Sequence, residues 1–527
     1  MPVYRNISFA TAQSFSDLLS NGDLVDGRGD PTKELLSRVT VLSRPAERYL
    51  FLPERDVSPI LQFAETMWVL AGRNDVEWLE RYSPKAPQYS DDGRVWRAGY
   101  GPRLRNWPGG VDQLGQARRL LIESRQSRRA VISLFDPAID FIESKDIPCN
   151  NWLSLMVRGD VLSMNVAVRS NDALWGFSGI NAFEWSVLQE CVANWVGAAV
   201  GPVTYLASSF HLYQPFFDTA VQIVERFDGV TAYDHVRSAP FSTSFEQFDQ
   251  RLSDWFAAEG RLRENPEERR SVGDAFLDSG LDLVRLKWGV KSGWSDARLR
   301  AELEALPDED HTAAAYQHFG RLRPGLRDGI PQQGIAAFFA ACLQGGGLAD
   351  RFRAAIKALH ATKDRVYGRA WKKRGERISI LPNVARKVDR LEEYARGVKG
   401  LSDESALDTA VDFYVYTLKY RLWLAERDEP GKLLASGAPT PLSDFDANFD
   451  ALVDRLKLDN AGDSKAQIAS IAQLFEALWK ATESSSEPRP RISILDALLK
   501  EAEALLATLF ITHPPLVVRF IGQETAS

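Results

Sequence analysis

Two runs rich in β-branched and other apolar residues, Trp152–Val157 and Val161–Val168, flank Arg158-Gly159-Asp160 and predict a tight β-hairpin. With Gly159 as the midpoint, Cys149 and Arg169 each lie ten positions away. That register returns a guanidinium to a thiol and favours the thiolate, although a buried cysteine at a strand end beside a solvated arginine fits the same spacing. The period changes on either side. Ile60, Phe63, Ala64, Met67, Trp68 and Leu70 form an apolar face at helical spacing over Ser58–Ala71, with Glu65 inside that face. A carboxylate placed there is costly unless it is paired or functional. Val111–Ser124 reads as an amphipathic helix and Ala130–Phe135 as a strand. Ala173–Val196 is apolar nearly all round, with Val187, Leu188, Cys191, Val192 and Trp195 at helical spacing, which predicts a buried central helix and makes Cys191 core. Pro202–Tyr213 alternates and places Ser209, His211 and Tyr213 on one face of a strand.

Further along, helices broken by Pro266, Pro307 and Pro324 lead to Gly345-Gly346-Gly347. Three more helical segments follow, Arg351–Leu359, Leu381–Arg396 and Glu404–Leu424. The last sets Glu404, Asp408 and Asp412 at successive i+4 positions, where like charges repel unless a cation sits among them. A chain of 527 residues is long for one core. The expected divisions are 1–240, 241–349 as a helical connection, 350–430, and a helical 431–527 with no assigned chemistry. Net charge −7 gives no footprint for a nucleic-acid polymer, so any phosphate site is local. The three cysteines, Cys149, Cys191 and Cys342, are too scattered for a disulfide framework or a zinc site. With no signal peptide, lipidation motif or long apolar run, the expected location is cytoplasmic, with no membrane partner.

Pro148-Cys149, then Arg169-Ser170-Asn171-Asp172, Gly176, Asn181 and His211-Leu212-Tyr213 follow in an order that resembles the thymidylate synthase family, which includes the pyrimidine nucleotide hydroxymethylases. The resemblance runs from about Gly27 to Tyr213. It implies an α+β fold, with a mixed sheet and a buried central helix in the N-terminal domain and an all-α C-terminal half. It also implies a pyrimidine nucleoside monophosphate as substrate and 5,10-methylenetetrahydrofolate as one-carbon donor. By the same resemblance Cys149 is the nucleophile, Glu65 and Tyr100 manage protons, and Asn181 reads the base edge. Arg169, Ser170 and Asp172 bind the nucleotide, with His211 and Tyr213 at its sugar. Arg28, in a glycine-flanked loop, matches the family's phosphate arginine, and a plain surface turn accounts for it nearly as well. Ser127-Arg128-Arg129 resembles the arginine pair that reaches the phosphate of a neighbouring subunit, which implies a homodimer with shared active sites.

Methyl-transferring members keep a tryptophan before the Tyr-Gly pair and a closing C-terminal tail, which help exclude water. Glu80–Gln88 has no tryptophan, no such tail is found, and Asn150 stands where the usual synthase has histidine. The expectation is therefore 5-hydroxymethylation, with methyl transfer or a cytidine-type substrate as alternatives. A nucleotide-binding regulatory protein is the non-enzymatic alternative, and intact Cys149, Glu65 and Asn181 argue against it. The Asn181 amide suits uracil, but one extra residue separates it from Gly176 relative to the family pattern. Asp364 to Tyr416 resembles nucleotide-modification-associated all-α domains related to the all-α nucleoside triphosphate pyrophosphatases. Those hold magnesium with helix carboxylates, here Glu404, Asp408 and Asp412, for which a solvated acidic face is the other reading.

Overall fold

The computed structural model describes residues 2–26, 29–343, 347–397, 405–428, 445–484 and 487–524. Arg28 and Glu404 lie outside them. Two compact units divide the chain near Gly346.

In the first unit, seven strands form one mixed sheet. They are β1 (Val3–Tyr4), β2 (Asp23–Val25), β3 (Thr32–Leu42), β4 (Val131–Ser133), β5 (Asn150–Arg158), β6 (Val161–Asp172) and β7 (Ala199–Tyr213). Their order is β1-β3-β7-β6-β5-β4, with β2 paired to β3. β6 and β7 run parallel, and β3, β5 and β4 are antiparallel to their inner neighbours.

The expected hairpin forms, but its geometry differs. Gly159 and Asp160 both have positive φ, 53° and 63°, so the turn has two residues, and Arg158 pairs with Val161. Continued unbroken, that register would set Cys149 opposite Ser170. A bulge between Asn150 and Trp152 absorbs one residue, so Asn150 pairs with Val168 and the Arg169 N–H donates to the Cys149 carbonyl at 2.9 Å. The bulge, rather than the turn, brings Arg169 to Cys149.

Among the helices of this unit, α1 (Ile7–Asn21), α2 (Pro59–Leu70), α3 (Tyr100–Arg105) and α4 (Ala182–Val196) pack around the sheet. The predicted single helix over Ala173–Val196 is two elements. Ala173–Asn181 is a π-helix, and α4 follows with almost every residue buried, Cys191 among them. Residues 241–343 pack onto the same body: Trp255 stacks on Phe63 of α2 with ring centroids 6.1 Å apart, and Phe276 lies 5.0 Å from the same ring. No single helix among the described residues is long and apolar enough to cross a membrane.

The second unit is all-helical. Residues 350–428 and 445–524, expected as separate regions, share one hydrophobic core in which Leu407, Val411 and Tyr414 join Leu495, Leu498 and Leu505. The acidic stripe does not gather a cation site among the described residues. Asp408 accepts from Ser405 N and Oγ, both at 2.8 Å, as a helix-capping interaction. Asp412 is paired with Lys363 at 2.5 Å and Lys387 at 2.6 Å. Lysine ammonium groups from neighbouring helices relieve the repulsion for which magnesium was expected. Burial works to raise the Asp412 carboxyl, yet the two lysines hold it below the ordinary range. A depressed carboxyl contributes stability above its unfolded pKa and loses it as pH falls through the folded one. Asp412→Ala should therefore destabilise the second unit by roughly 2–4 kcal/mol, because it removes the buried carboxylate that two partly buried ammonium groups share. Thermal melts of the full chain should show this loss and no rise of the wild-type midpoint with magnesium; a rise that Asp412→Ala abolishes would restore the metal reading.

Candidate active site

Cys149 ends the segment entering β5 and Arg169 lies beside it on β6. The guanidinium is fixed by two carbonyls, Nε donating to Pro148 O at 2.8 Å and Nη2 to Ile147 O at 3.0 Å, which leaves Nη2 3.9 Å from the Cys149 Sγ. Nη1 has no partner among the described residues. Burial pushes the thiol up, Arg169 pulls it down, and Asp172 and Asp146 push it up again. The arginine acts in the expected direction, but desolvation outweighs it and the resting thiol is protonated.

Asn150 is fully buried and locks the next layer. Its backbone N and Nδ2 donate to Tyr100 Oη at 3.1 and 2.6 Å, and its Oδ1 accepts from Trp185 Nε1 at 3.3 Å. Asn150, at the position where the family resemblance implies histidine, thus ties the strand that follows Cys149 to α3 and α4. Burial first, then the neighbouring Cys149, raise the Tyr100 hydroxyl above its ordinary value.

Glu65, on α2, has no ion-pair partner among the described residues, and burial raises its carboxyl to about 7. It therefore titrates near neutrality, as a proton-handling group does. A second carboxylate, Glu184, joins it without having been expected. It lies in α4 with 1% exposure and is driven well up by burial and by Glu65. Its only sequence signal is a glutamate inside the mostly apolar run Ala182–Leu188.

The π-helix accounts for the extra residue before Asn181. A wider turn holds one more residue than an α-turn, and its irregular carbonyls are captured by side chains. Ser178 Oγ donates to Ala173 O at 2.8 Å, Arg55 Nη2 to Leu174 O at 2.7 Å, and Gln62 Nε2 to Gly179 O at 2.6 Å. The Asp172 carboxylate caps its start, accepting from Leu174 N at 2.7 Å and Trp175 N at 3.2 Å. Asn181 is brought back beside the end of β6. A side chain at Gly176 would begin 3.5 Å from Asn171 Oδ1 and 3.8 Å from Asn181 Nδ2, so the glycine lies against both amides. The Asn181 side chain has no hydrogen-bond partner among the described residues.

Asp172 pairs in register with His211 on β7, Ser170 with Ser209, and Glu34 of β3 with His211 from the other side. Ser209 Oγ donates to Glu34 and lies 3.1 Å from His211 Nδ1. Burial lowers His211 against the pull of Asp172 and Glu34, so the ring is neutral at pH 7. Tyr213 stands perpendicular to it at 5.3 Å, its hydroxyl raised by burial, Asp172 and Cys149. The sequence pattern passes over Glu34, a single carboxylate just beyond the glycine-flanked loop.

These residues gather at one end of β5, β6 and β7. Arg128 and Arg129 do not join them. They precede the edge strand β4, exposed and without side-chain partners among the described residues, at the level of Leu155, five residues along β5 from Asn150. At about 3.3 Å per residue, that is more than 15 Å from the Cys149 end of the strand.

The thymidylate synthase family model matches residues 13–254. A deoxyuridylate hydroxymethyltransferase of Pseudomonas phage M6 is 37% identical over 224 residues, 42% of this chain and 64% of that protein. The proteins of the same name from Bacillus phage SP01 and Delftia phage PhiW-14 are 33% and 32% identical, over 45% and 46% of this chain and 65% and 71% of theirs. The chain thus spans just under two thirds of the length of the SP01 and M6 proteins. With Cys149, Arg169, Asn181 and the His211-x-Tyr213 pair at one end of the mixed sheet, this chain belongs to the thymidylate synthase family.

Proposed function

We propose that the protein hydroxymethylates carbon-5 of deoxyuridine monophosphate through a covalent adduct with Cys149. The observation that carries this reading is the Cys149 corner, with Arg169 fixed beside the thiol and Asn150, not histidine, behind it. The three relatives that bear a deoxyuridylate hydroxymethyltransferase name support it.

Carbon-5 of uracil is a weak nucleophile, and addition of the Cys149 sulfur to carbon-6 converts the base to an enolate. When bound, 5,10-methylenetetrahydrofolate supplies the one-carbon unit. Trp175, 53% exposed with the Arg55 guanidinium 4.8 Å from its ring centre, offers a flat face for such a ring system, and these two residues would hold it. The chain's own groups do the rest. Glu65 accepts a proton from the water that adds to the exocyclic methylene; a C–O bond forms, the electron pair of the methylene double bond passes to the base as enolate, and its collapse expels the Cys149 thiolate. Tyr100 orients the site through Asn150, Asn181 reads the base edge beside Ser170 and Asp172, and His211 and Tyr213 meet the sugar.

Arg169 Nη1 is free for the phosphate. We assign Arg128 and Arg129 to the phosphate bound in a second copy of this chain, which accounts for two unpaired guanidiniums far from Cys149.

Incubation of deoxyuridine monophosphate with methylenetetrahydrofolate should give a hydroxymethyl product by mass spectrometry, and a methyl product would favour ordinary thymidylate synthesis. Cys149→Ala should abolish release of tritium from carbon-5 while nucleotide binding persists. Asn181→Asp should shift preference toward cytosine by roughly ten- to a hundredfold, since a mispaired buried edge costs about 1–3 kcal/mol; competition between the two monophosphates measures it. If the sites are shared, mixing inactive Cys149→Ala with inactive Arg128→Glu/Arg129→Glu chains should restore activity, because one composite site then holds both an intact cysteine and intact arginines. No recovery after subunit exchange would count against the shared site.

A further inference from the structure

The Glu184 carboxyl lies in the core without a cation. Its neighbours in α4 are both fixed: Phe183 packs 6.3 Å from Phe63 of α2, and Trp185 lies 5.3 Å from Tyr100 while donating to Asn150. Glu184 is therefore held between α2, α3 and the sheet. Among the described residues, the titratable groups that act on it or feel it are Glu65 from α2, Tyr100 from α3 and Tyr205 from β7. Among the described residues, neither Glu65 nor Glu184 is acted on by a lysine or arginine. Glu184 Oε1 and Tyr205 Oη are both buried and have no hydrogen-bond partner among the described residues. Buried oxygens of this kind call for a partner, a part that ordered water plays in protein interiors.

We propose that Glu184 is a positioning residue for the water-adding step, its protonated carboxyl and the Tyr205 hydroxyl holding a short water chain that ends on Glu65. The proposal rests on the hydroxymethylation reading. At neutral pH the two glutamates carry one proton between them, since burial disfavours a second charge. Glu184 keeps that proton and donates toward the Glu65 carboxylate. Glu65 then removes a proton from the terminal water as the water oxygen bonds to the methylene carbon, and passes it outward after the thiolate leaves. Donation from Glu184 also holds the Glu65 carboxyl lower than burial alone would leave it.

The test is the pH profile of hydroxymethyl product formation by the full chain. The acid limb, set by ionisation of Glu65 near neutrality, should move up by about one unit in Glu184→Leu, which loses the donor. It should stay close to the wild-type position in Glu184→Gln, which keeps an N–H donor. Tyr205→Phe, which removes an oxygen and little volume, should lower product roughly tenfold relative to tritium release from carbon-5. A purely structural role would lower all rates in parallel and leave the limb in place. An unmoved limb in Glu184→Leu, or, if that variant does not fold, an unchanged ratio of product to tritium release in Tyr205→Phe, overturns the positioning role. A wild-type protein that forms only methylated product overturns the hydroxymethylation reading itself, and with it the water-adding step assigned to Glu184, which distinguishes that failure from an unmoved limb in a protein that does form hydroxymethyl product.

Discussion

A single bulged residue, Asn151, sets the register on which the active corner depends. The two-residue turn at Gly159-Asp160 aligns the hairpin so that Cys149 would face Ser170, and the bulge moves it onto Arg169. Side chains alternate faces along a strand, so a slip of one residue would also turn the guanidinium away from the thiol. The Asn151 carbonyl in turn ties down the chain leaving β4, accepting hydrogen bonds from Leu134 N at 2.8 Å and Phe135 N at 3.1 Å. The bulge is thus a hydrogen-bonded junction of three strands, and the carbonyls of Ile147 and Pro148 that grip Arg169 lie just before it.

The charge balance of the corner follows from burial more than from ion pairing. Cys149, Tyr100, Glu65 and Glu184 are all displaced toward their protonated forms by desolvation, with Arg169 as the one nearby cation acting on the thiol. The same low dielectric that raises these groups also strengthens each hydrogen bond made within the corner.

Much of this is legible in the sequence, for reasons particular to each element. Strong periodicity locates α2, the β5–β6 hairpin and β7, and the order of chemically distinct residues from Cys149 to Tyr213 identifies the family. The bulge leaves no trace in the pattern: a glycine-centred count reaches the right neighbours by cancelling an error in the turn against an error in the strand. Glu184 and Glu34 are invisible because a lone carboxylate has no periodic signature, and its meaning comes from the chain segment folded against it. The acidic stripe in the second unit misleads for the same reason. Glu404, Asp408 and Asp412 share a helix face on paper, whereas Lys363 and Lys387, which decide the charge state of Asp412, come from other helices.

The π-turn before Asn181 bears on how relatives of this chain are compared. A wide turn admits one residue and then returns to ordinary helical phase, so α4 and its buried contacts carry no memory of the insertion. An alignment that places its gap elsewhere, or avoids one, would put Ile180 instead of Asn181 in the column where the family resemblance implies the asparagine. Substrate labels transferred through such an alignment would rest on the wrong column, and the length of this one turn should be checked before the identity of the residue that follows it.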